Sequence, residues 1–446
     1  MKILTIVQSF GMGGTQQVAS NYARAYAGLG FASAALGIYG GGHHEQQLEE
    51  AGVRVFRGER NVPESLRVLK NWRPDLIHIH GGGAHEPVNS WLLRELKSET
   101  TKVIQTNVFG RVDYTSAQSL IDVELLLSNW CAWKWQKWWG PAGTAPAHLV
   151  FPNFLEENIF HVPTREERRE AKKSLGIPPD AVVLGRVGQK NMGKWHGSIF
   201  RVFKELRARL PEARLLLVGC PDELIAKARN QCPDLDSHIV LQEQTTSRQE
   251  LQQAYEAMDI FVHASLIGES FGLVLAEAAQ CGLPIVTLNT PFHDNTQFEM
   301  VRFLNSGVAA FSEIEMLETL KVLAQDEKKR GEIGLRSALK VNAAFGLNRH
   351  NRERLAGLAE TVVRSHDGGQ AVRVLNERWQ ENPFFGTNSI EPLVAETRSR
   401  LGLVQRLGFD LLHCSVPYRL YRGVKEYKFL RKQCALIRQW NIQSTL

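Results

Sequence analysis

The sequence of 446 residues contains no long apolar run, no paired cysteine motif and no excess of charge outside its last segment. No run approaches the roughly 18–20 apolar residues that a membrane-spanning helix needs. The N-terminal stretch has one basic residue, Lys2, and is too short in apolar length for a secretory signal. The six cysteines form no C-x-x-C pair, which argues against a zinc ribbon or a redox pair. We therefore expect a cytoplasmic protein with reduced, mostly packed thiols.

The net charge of +6 belongs to the C-terminal segment. From residue 401 onward there are eight basic and two acidic residues, a difference of +6, so residues 1–400 are formally neutral. This distribution argues against a nucleic-acid-binding surface on residues 1–400. With 43% hydrophobic and 22% charged residues the chain is globular. Since single cores stop growing near ~250–300 residues, we expect at least two domains.

Short apolar runs alternate with helical patterns twice along the chain, which predicts an α/β protein with two doubly wound parallel sheets. The two halves join near residues 160–178, and a cleft at the carboxyl ends of the strands is the expected ligand site. The predicted strands are Lys2–Val7, Ala34–Ile38, Val53–Phe56, Leu76–His80, Val103–Thr106, Val123–Leu127, Leu149–Phe151, Ala181–Val187, Leu215–Val218, Ile239–Leu241, Ile260–Val262, Pro284–Leu288 and Val308–Phe311.

Three segments have residues suited to bind phosphate. Gly13 and Gly14 lie between the first strand and a helix, although Gln16 breaks the dinucleotide pattern, and a plain tight turn is an equal alternative. Arg186 at a strand end and Lys194 in the next loop could both neutralise a diphosphate, or form a solvated surface pair. The third segment, 268–284, starts a helix near Phe271 or Gly272, where free N–H groups suit phosphate oxygens.

Two carboxylates in this third segment, Glu269 and Glu277, stand among mostly apolar residues, which favours a role in binding sugar hydroxyls over solvated surface. Together these motifs resemble those of retaining glycosyltransferases of the GT-B fold, specifically glycosyltransferase family 4 (GT4). Glu269 and Glu277 match the family's E-x7-E element, and Arg186 and Lys194 match its Arg and Lys pair. Gly13-Gly14 matches its N-terminal loop, and Pro152-Asn153 resembles its interdomain segment. The order and spacing match over residues 1–365.

The resemblance implies a nucleotide-diphosphate-sugar co-substrate, such as a UDP- or GDP-sugar, and no other cofactor. Glu277 is then expected to bind the ribose, Glu269 the transferred sugar, and Arg186 and Lys194 the diphosphate, with Glu269, Arg186 and Lys194 as the catalytic set. The full donor-binding set is Gly13, Gly14, Arg186, Lys194, Glu269, Phe271, Gly272, Leu273 and Glu277. The implied domains are 1–165 for the acceptor, 166–345 for the nucleotide sugar, 346–365 as a returning helix, and 366–446 as a basic extension.

In the front-face mechanism usually proposed for this family, the leaving phosphate oxygen takes the acceptor's proton, and no protein base is needed. Where the family often has a histidine this sequence has Asn107, which could supply a neutral hydrogen bond, and His80 could line the acceptor side. Asp234 and Asp236 mimic a D-x-D metal motif, but they lie away from the phosphate loops. We interpret them as a solvated turn and predict no metal site and metal-independent transfer.

An aromatic cluster and the basic extension are candidates for acceptor or membrane contacts. Five tryptophans lie within residues 130–139, where packing, sugar stacking and a lipid interface are all reasonable. Beyond Pro417, an apolar stripe recurs every three or four residues beside basic residues, which suits either an anionic membrane surface or a helix docked on the protein. The stripe is Tyr421, Val424, Tyr427, Leu430, Cys434 and Ile437; the basic residues are Arg422, Lys425, Lys428, Arg431 and Lys432.

We therefore expect an enzyme that adds a sugar, with retention of configuration, to a glycan or lipid-linked acceptor. Bacterial polysaccharide or envelope glycan biosynthesis, including lipopolysaccharide, is the expected setting, in the cytoplasm or at the inner face of the cytoplasmic membrane. Two alternatives stay open: a sugar-nucleotide epimerase of the same fold, and a non-catalytic subunit that supports a partner transferase.

Overall fold

A computed structural model describes residues 1–58, 62–141, 145–156, 159–232, 234–245, 247–379, 384 and 389–443, without the side chains of 422–429 and 441–443. The chain forms two compact units. Unit 1 comprises Met1–Phe154 and Arg349–Leu446, and unit 2 comprises Leu155–Asn348. Each has its own sheet and hydrophobic core, as the length of the chain predicted.

Unit 1 is built on a seven-stranded parallel sheet in the order β3-β2-β1-β4-β5-β6-β7. Its central strands are buried almost throughout because helices cover both faces. The strand order reverses between β1 and β4, where Ile3 pairs with Leu76. The strands are β1 Lys2–Val7, β2 Ala32–Gly37, β3 Arg54–Arg57, β4 Leu76–Gly81, β5 Lys102–Asn107, β6 Val123–Leu126 and β7 His148–Val150. The helices are α1 Gly14–Gly28, α2 Glu45–Glu50, α3 Val62–Trp72, α4 Pro87–Leu96 and α5 Asn129–Trp139, with a 3₁₀ turn at Ser116–Leu120.

Unit 2 repeats the plan with a six-stranded parallel sheet in the order β10-β9-β8-β11-β12-β13. Its first helix begins with a capping box, in which the Thr164 hydroxyl accepts from the Glu167 N–H and the Glu167 carboxylate accepts from the Thr164 N–H. The strands are β8 Val183–Val187, β9 Arg214–Val218, β10 Ile239–Gln242, β11 Ile260–His263, β12 Ile285–Leu288 and β13 Gly307–Ala310. The helices are α6 Arg165–Ser174, α7 Ser198–Arg207, α8 Asp222–Gln231, α9 Arg248–Glu256, α10 Leu273–Gln280, α11 Thr296–Leu304, α12 Glu313–Gln325 and α13 Glu327–Phe345, with 3₁₀ turns at Met192–Lys194 and Leu235–Ser237.

The remaining helices belong to unit 1. They are α14 Arg349–Arg364, α15 Gly368–Arg378, α16 Glu391–Ser399, α17 Leu403–Leu412 and α18 Ser415–Gln443. Helix α14 packs against α1 and α15, and α18 packs against α3, α4 and α5. Among the helices that the structure describes, none combines the length and apolar character needed to cross a bilayer.

The units divide at 154/155 and 348/349, whereas the sequence placed divisions at 165/166 and 345/346. The difference has a hydrogen-bonding cause. The Leu155 N–H donates to the Phe345 carbonyl at 2.8 Å, and the Leu347 N–H donates to the Leu155 carbonyl at 2.9 Å. Residue 155 is thereby tied to the end of α13, and the segment before α6 is part of unit 2.

The α/β class with two doubly wound parallel sheets is confirmed. Every run predicted as a strand coincides with an observed strand to within two residues at each end. The near-continuous apolar runs identified these strands because parallel sheets are covered on both faces.

The predicted apolar stripe of the extension lies on α18, and part of this helix is covered by the rest of unit 1. The side chains of Arg422, Val424, Lys425, Tyr427 and Lys428 lie outside the described residues. Further along α18, Gln433 is buried, and its side chain accepts from the Val88 N–H and donates to the Tyr39 hydroxyl. Ile437 packs on the unit 1 core, while Cys434 is exposed. The described part of α18 is therefore docked on the protein, the second of the two predicted alternatives.

Pro417 and the aromatic cluster were also interpreted from the sequence, and the structure shows the place of each. Pro417 lies within the first turn of α18, where its missing N–H costs no helical hydrogen bond, and does not precede the helix. In α5, Trp130, Trp133 and Trp135 are buried in unit 1, and Trp138 stacks on Tyr418 with ring centroids 3.8 Å apart. Packing thus accounts for these four members of the aromatic cluster.

Candidate functional site

The candidate site of unit 2 lies at the carboxyl ends of β8 and β11, where the strand order of its sheet reverses. Strands on opposite sides of such a point send their following loops apart, which leaves a crevice for a ligand. Arg186 lies near the end of β8 and His263 ends β11. The loop after β8 contains Lys194, and the loop after β11 contains Glu269.

The Arg186 guanidinium is 1% exposed and is held by backbone carbonyls. Its Nη1 donates to the Val187 carbonyl at 2.6 Å and its Nη2 to the Lys194 carbonyl at 3.0 Å. Its Nε has no hydrogen-bond partner among the described residues, and the charge lies 5.3 Å from the centre of the Trp195 ring. Burial lowers the pKa of Arg186 to about 10, against the opposing charge of Glu269. The site therefore contains a buried positive charge with spare donor capacity.

Lys194, Glu269 and His263 form a linked group beside this arginine. The Lys194 Nζ lies 2.8 Å from Glu269 Oε2, and the His263 Nε2 lies 3.2 Å from Glu269 Oε1. The His263 Nδ1 lies 2.9 Å from the Thr287 hydroxyl, so both ring nitrogens have partners. Both carboxylate oxygens of Glu269 are therefore engaged by protein partners.

The pKa shifts in this group follow from its burial and charges. Burial raises the pKa of Glu269, but Lys194, His263 and Arg186 together lower it by more, so its pKa lies well below the usual value of a glutamate. Burial, and secondly the charge of Arg186, lower the pKa of His263 to about 4, so this ring is neutral near pH 7. Glu269 is consequently an ionised carboxylate that can only accept hydrogen bonds, which suits the hydroxyls of a sugar.

The loop that presents Glu269 is fixed by backbone contacts on both sides. The Leu266 N–H donates to the Gly193 carbonyl at 3.0 Å, which joins this loop to the one that contains Lys194. The Glu269 N–H donates to the Gln297 side chain at 3.1 Å. Gly268 has φ +66°, and a Cβ there would lie 1.6 Å from the Asp294 carbonyl oxygen, so only glycine fits.

Helix α10 starts next to Glu269 and presents Glu277 in its second turn. Gly272 precedes the helix in a left-handed conformation, with φ +94°. Phe271, Gly272 and Leu273, the residues predicted to bind phosphate through their N–H groups, thus surround the start of α10, where helical N–H groups have no intrahelical acceptor.

Glu277 is mostly buried and has partners different from those of Glu269. The Tyr255 hydroxyl donates to Glu277 Oε2 at 2.9 Å, and an amino group of Arg248 lies 3.6 Å from Oε1. Burial raises the pKa of Glu277, against the opposing effects of Arg248 and Tyr255. Of the predicted residues, the structure thus brings Arg186, Lys194 and Glu269 into one contacting group and places Glu277 on the helix that follows.

In unit 1, the predicted Gly13-Gly14 turn lies at the start of α1, beyond the carboxyl end of β1. Gly13 has extended backbone angles, and α1 begins at Gly14. The Gly42 Cα packs against the Phe10 and Gly11 backbone, where a Cβ would come within 2.7 Å. The turn is therefore positioned by a neighbouring glycine segment, and its contact with a donor stays a prediction.

His80 and Asn107 are both buried at the ends of neighbouring strands of unit 1. His80 is 1% exposed, its ring stacks on His78 with centroids 4.4 Å apart, and neither ring nitrogen has a hydrogen-bond partner among the described residues. Burial lowers its pKa to about 3. Asn107 closes a turn, because its side chain accepts from the Arg111 N–H and donates to the Arg111 carbonyl. Contact of either residue with an acceptor stays a prediction.

The predicted D-x-D mimic forms ion pairs at the surface of unit 2. Asp234 lies 2.9 Å from Arg207, and Asp236 lies 2.9 Å from Arg229. Within the described ranges, no group of three or more His, Cys, Asp or Glu residues is arranged to hold a metal ion.

Four residues in contact with the predicted carboxylates or with their partners were not predicted from the sequence: His263, Thr287, Tyr255 and Arg248. The first two fix the orientation of the Glu269 carboxylate, and the other two contact Glu277. The position of His263, directly after the predicted strand Ile260–Val262 and six residues before Glu269, was the available signal.

A family model described as glycosyl transferases group 1 matches residues 178–304. The D-inositol 3-phosphate glycosyltransferase of Stackebrandtia nassauensis is 32% identical over 146 residues, which are 31% of this chain and 32% of that protein. The corresponding protein of Actinosynnema mirum is 36% identical over 151 residues, 31% of this chain and 34% of that protein. The matches thus span about a third of the length of these relatives. The family resemblance predicted from the motifs is confirmed.

Solved structures show the same fold over most of the chain. A glycosyltransferase from Rickettsia africae is 14% identical and aligns over 82% of this chain and 99% of its own, with a TM-score of 0.64. HepE of Anabaena, solved in complex with UDP-glucose, is 15% identical and aligns over 81% of this chain and 100% of its own, with a TM-score of 0.63. At such identities the likeness shows the fold alone, and the predicted GT-B architecture is confirmed.

Proposed function

Because residues 178–304 match the family model of group 1 glycosyl transferases, we propose that this protein transfers a sugar from a nucleotide-diphosphate sugar to an acceptor hydroxyl with retention of configuration. One observation carries the proposal. The matched segment contains one contacting group, the buried Arg186 and Glu269 with the partly exposed Lys194, at the point where the strand order reverses, with Glu277 on the following helix. Positive charge for a diphosphate and carboxylates for hydroxyls therefore occur where a parallel sheet binds ligands.

In the proposed complex, unit 2 holds the donor. Glu277 accepts hydrogen bonds from the ribose, and Glu269 accepts them from hydroxyls of the transferred sugar. Lys194 and Arg186 stabilise the diphosphate, together with the N–H groups at the start of α10. A UDP-sugar is the first donor to test, since structures of HepE hold UDP or UDP-glucose, and a GDP-sugar is the second.

The chemical step exchanges one bond of the anomeric carbon for another on the same face. The bond to the diphosphate oxygen breaks as the bond to the acceptor oxygen forms, and the acceptor's proton passes to the departing phosphate oxygen. Negative charge grows on the leaving group, so the contribution of Arg186 and Lys194 is larger in the transition state than in the ground state. The leaving group acts as the base, and no base from the protein is required.

We assign the acceptor to unit 1, with His80 and Asn107 as candidate contacts. The proposed acceptor is a glycan or lipid-linked glycan in bacterial polysaccharide or envelope assembly. The D-inositol 3-phosphate glycosyltransferase relatives are consistent with an acceptor hydroxyl on a small polar molecule as well. The proposed location is the cytoplasm, with peripheral association at the inner face of the cytoplasmic membrane.

The decisive experiment is a panel of UDP-, GDP- and ADP-sugars scored by thermal shift and by donor hydrolysis. The matching donor should raise the melting temperature by mass action. Glu277→Ala should weaken its binding about 100-fold, since two hydrogen bonds to a charged group are lost. Glu223→Ala, which removes an exposed partner of Lys227, is the matched control and should bind normally.

The same panel separates the alternatives. Unchanged donor binding by Glu277→Ala would reject the assignment of this residue. Conversion of the donor into an epimer would identify the epimerase, and tight donor binding without hydrolysis or transfer to any acceptor would favour the non-catalytic subunit.

Metal dependence is tested separately. We expect turnover to be unchanged by excess EDTA, because Arg186 and Lys194 supply the positive charge that a divalent ion provides in other transferases. Loss of activity in EDTA with recovery on addition of Mn²⁺ would contradict this prediction.

A further inference from the structure

The exposed apolar residues of this protein are concentrated in one short stretch, residues 403–421. Eight of the nineteen large apolar side chains that the described residues leave exposed lie there. Leu403 and Val404 are 76% and 82% exposed, and the exposed pair Leu407 and Leu411 continues the same face of α17. Val416, Leu420 and Tyr421 are exposed on the following helix α18, and Leu412 is exposed at the end of α17. We call these eight residues the α17–α18 apolar face.

The opposite side of α17 and α18 packs on helix α5, which fixes the direction in which the apolar face points. Phe409 stacks on Trp133 with ring centroids 5.9 Å apart, and the buried His413 lies 4.6 Å from the same ring. The Trp138 indole N–H donates to the Leu412 carbonyl at 2.9 Å. Tyr418 is buried against Trp138. The helices cannot rotate their leucines inward without losing this packing.

Basic side chains are exposed on α5 and along α18, although α17 itself also has one carboxylate, Asp410, paired with Arg398. Lys137 is exposed on α5, and its charge and that of Lys134 lower the pKa of His413 at the helix junction, after the larger effect of burial. Arg419 is exposed between Tyr418 and Leu420, with its guanidinium 4.1 Å from the Tyr114 ring centre. Arg431, Lys432 and Arg438 are exposed further along α18. The segment from residue 401 has a net charge of +6 in a chain that is otherwise neutral.

We propose that the α17–α18 apolar face inserts into the headgroup region of a bilayer that contains anionic phospholipids. Apolar side chains flanked by cations match the chemistry of such an interface, where leucines reach the acyl boundary and cations stay with the phosphates. A second copy of the chain is a poorer occupant, because it would bring the same positive charges to the contact. The face shares Tyr421 with the predicted stripe, whose later member Ile437 packs on the unit 1 core.

The proposal extends the suggested membrane association to a defined surface and requires neither donor nor turnover. Vesicle binding and sugar transfer are measured separately, so either can fail while the other holds.

The test is co-sedimentation of the full chain with phosphatidylcholine vesicles, with and without about one quarter phosphatidylglycerol. The variant is Leu407→Gln with Leu411→Gln, an exposed pair four residues apart. The matched control is Leu335→Gln with Leu339→Gln on α13, a pair with the same spacing that is 58% and 66% exposed but lacks the surrounding cluster. Equal melting temperatures establish that all three proteins are folded.

We expect the wild type and the control to bind the anionic vesicles, and the α17 variant to bind at least about tenfold more weakly. Neutral vesicles and about 0.5 M NaCl should also weaken binding, because the electrostatic part is then absent or screened. Equal partitioning of the α17 variant and the wild type would overturn the proposal, as would equal binding to neutral vesicles. A wild type that forms dimers which the α17 variant does not form would also overturn it, since the face is then a contact between copies.

Discussion

Replacement of Lys194 by methionine removes the cation that faces Glu269 while retaining the length of the side chain. In the structure the Lys194 Nζ lies 2.8 Å from a carboxylate that is 8% exposed. Breaking a fully buried ion pair costs ~3–5 kcal/mol because the remaining charge is uncompensated. Lys194 is about a quarter exposed, and Arg186 and His263 still face the carboxylate. We therefore expect Lys194→Met to lower the free energy of unfolding by about 2 kcal/mol.

The pH dependence of this loss has a defined sign. The partners of Glu269 lower its folded pKa, so the pair contributes stability above the unfolded pKa of a glutamate, near 4.5, and loses it as the pH falls further. The difference between wild type and variant should be complete at pH 7 and shrink below about pH 4.5. Urea unfolding at pH 7 and below about pH 4.5, followed by tryptophan fluorescence, measures this difference in the free energy of unfolding.

A double-mutant cycle separates stability from function. Adding Glu269→Gln to Lys194→Met removes the uncompensated charge and should restore most of the stability, but transfer should stay at least about 100-fold below wild type. Lys190→Met is the control, since this lysine pairs with the exposed Asp222 and Glu243, and such surface pairs contribute little stability. The reasoning is refuted if Lys194→Met unfolds like the wild type at pH 7, or if the second substitution restores nothing.

Two further predictions concern buried groups. His263→Leu should reduce donor affinity and turnover about tenfold, because the carboxylate of Glu269 loses a positioning hydrogen bond. His263→Gln should retain most of both, because its amide can reach the place of Nε2. Equal losses in the two variants would indicate that His263 has a packing role alone. The pKa of His263 is about 4, so the wild type and His263→Gln should also share one pH profile between pH 5 and 8. Burial raises the pKa of Glu124 to about 8, so the stability that its protonated form provides is present below about pH 4.5 and is lost as the pH rises through 8. Glu124→Gln should therefore match the wild type near pH 5 and exceed its melting temperature at pH 9, and parallel curves for the two proteins would contradict this expectation.

The sheets were predictable because a strand covered on both faces must be apolar nearly throughout, and each half of the sequence contains such runs in alternation with helical patterns. The sequence placed Lys194 and Glu269 in loops at the carboxyl ends of strands, but the ion pair between them was not predicted. Their neighbour His263 was not predicted, because its role depends on contacts with Thr287 and Glu269 that only the folded sheet creates.

Asn107 and the C-terminal helices show the limits of sequence patterns in another way. A side-chain amide after a strand is compatible with a ligand contact and equally with the turn that Asn107 closes around Arg111. Helical periodicity identifies an apolar face but not what covers it. The predicted stripe of α18 is partly covered by unit 1 through Ile437, whereas the face of α17 with Leu407 is exposed.

The hydrogen bonds between Leu155 and the end of α13 have a consequence for the architecture of the chain. Since the first and last segments of unit 2 run side by side, with Leu155 bridged to Gly346, this unit is a domain inserted into a host whose sequence resumes at Arg349. Because the two ends of unit 2 lie next to each other, residues 155–348 form a unit that can be excised as a single fragment. Such a fragment would make unit 2 accessible to spectroscopy as a protein of under half the mass.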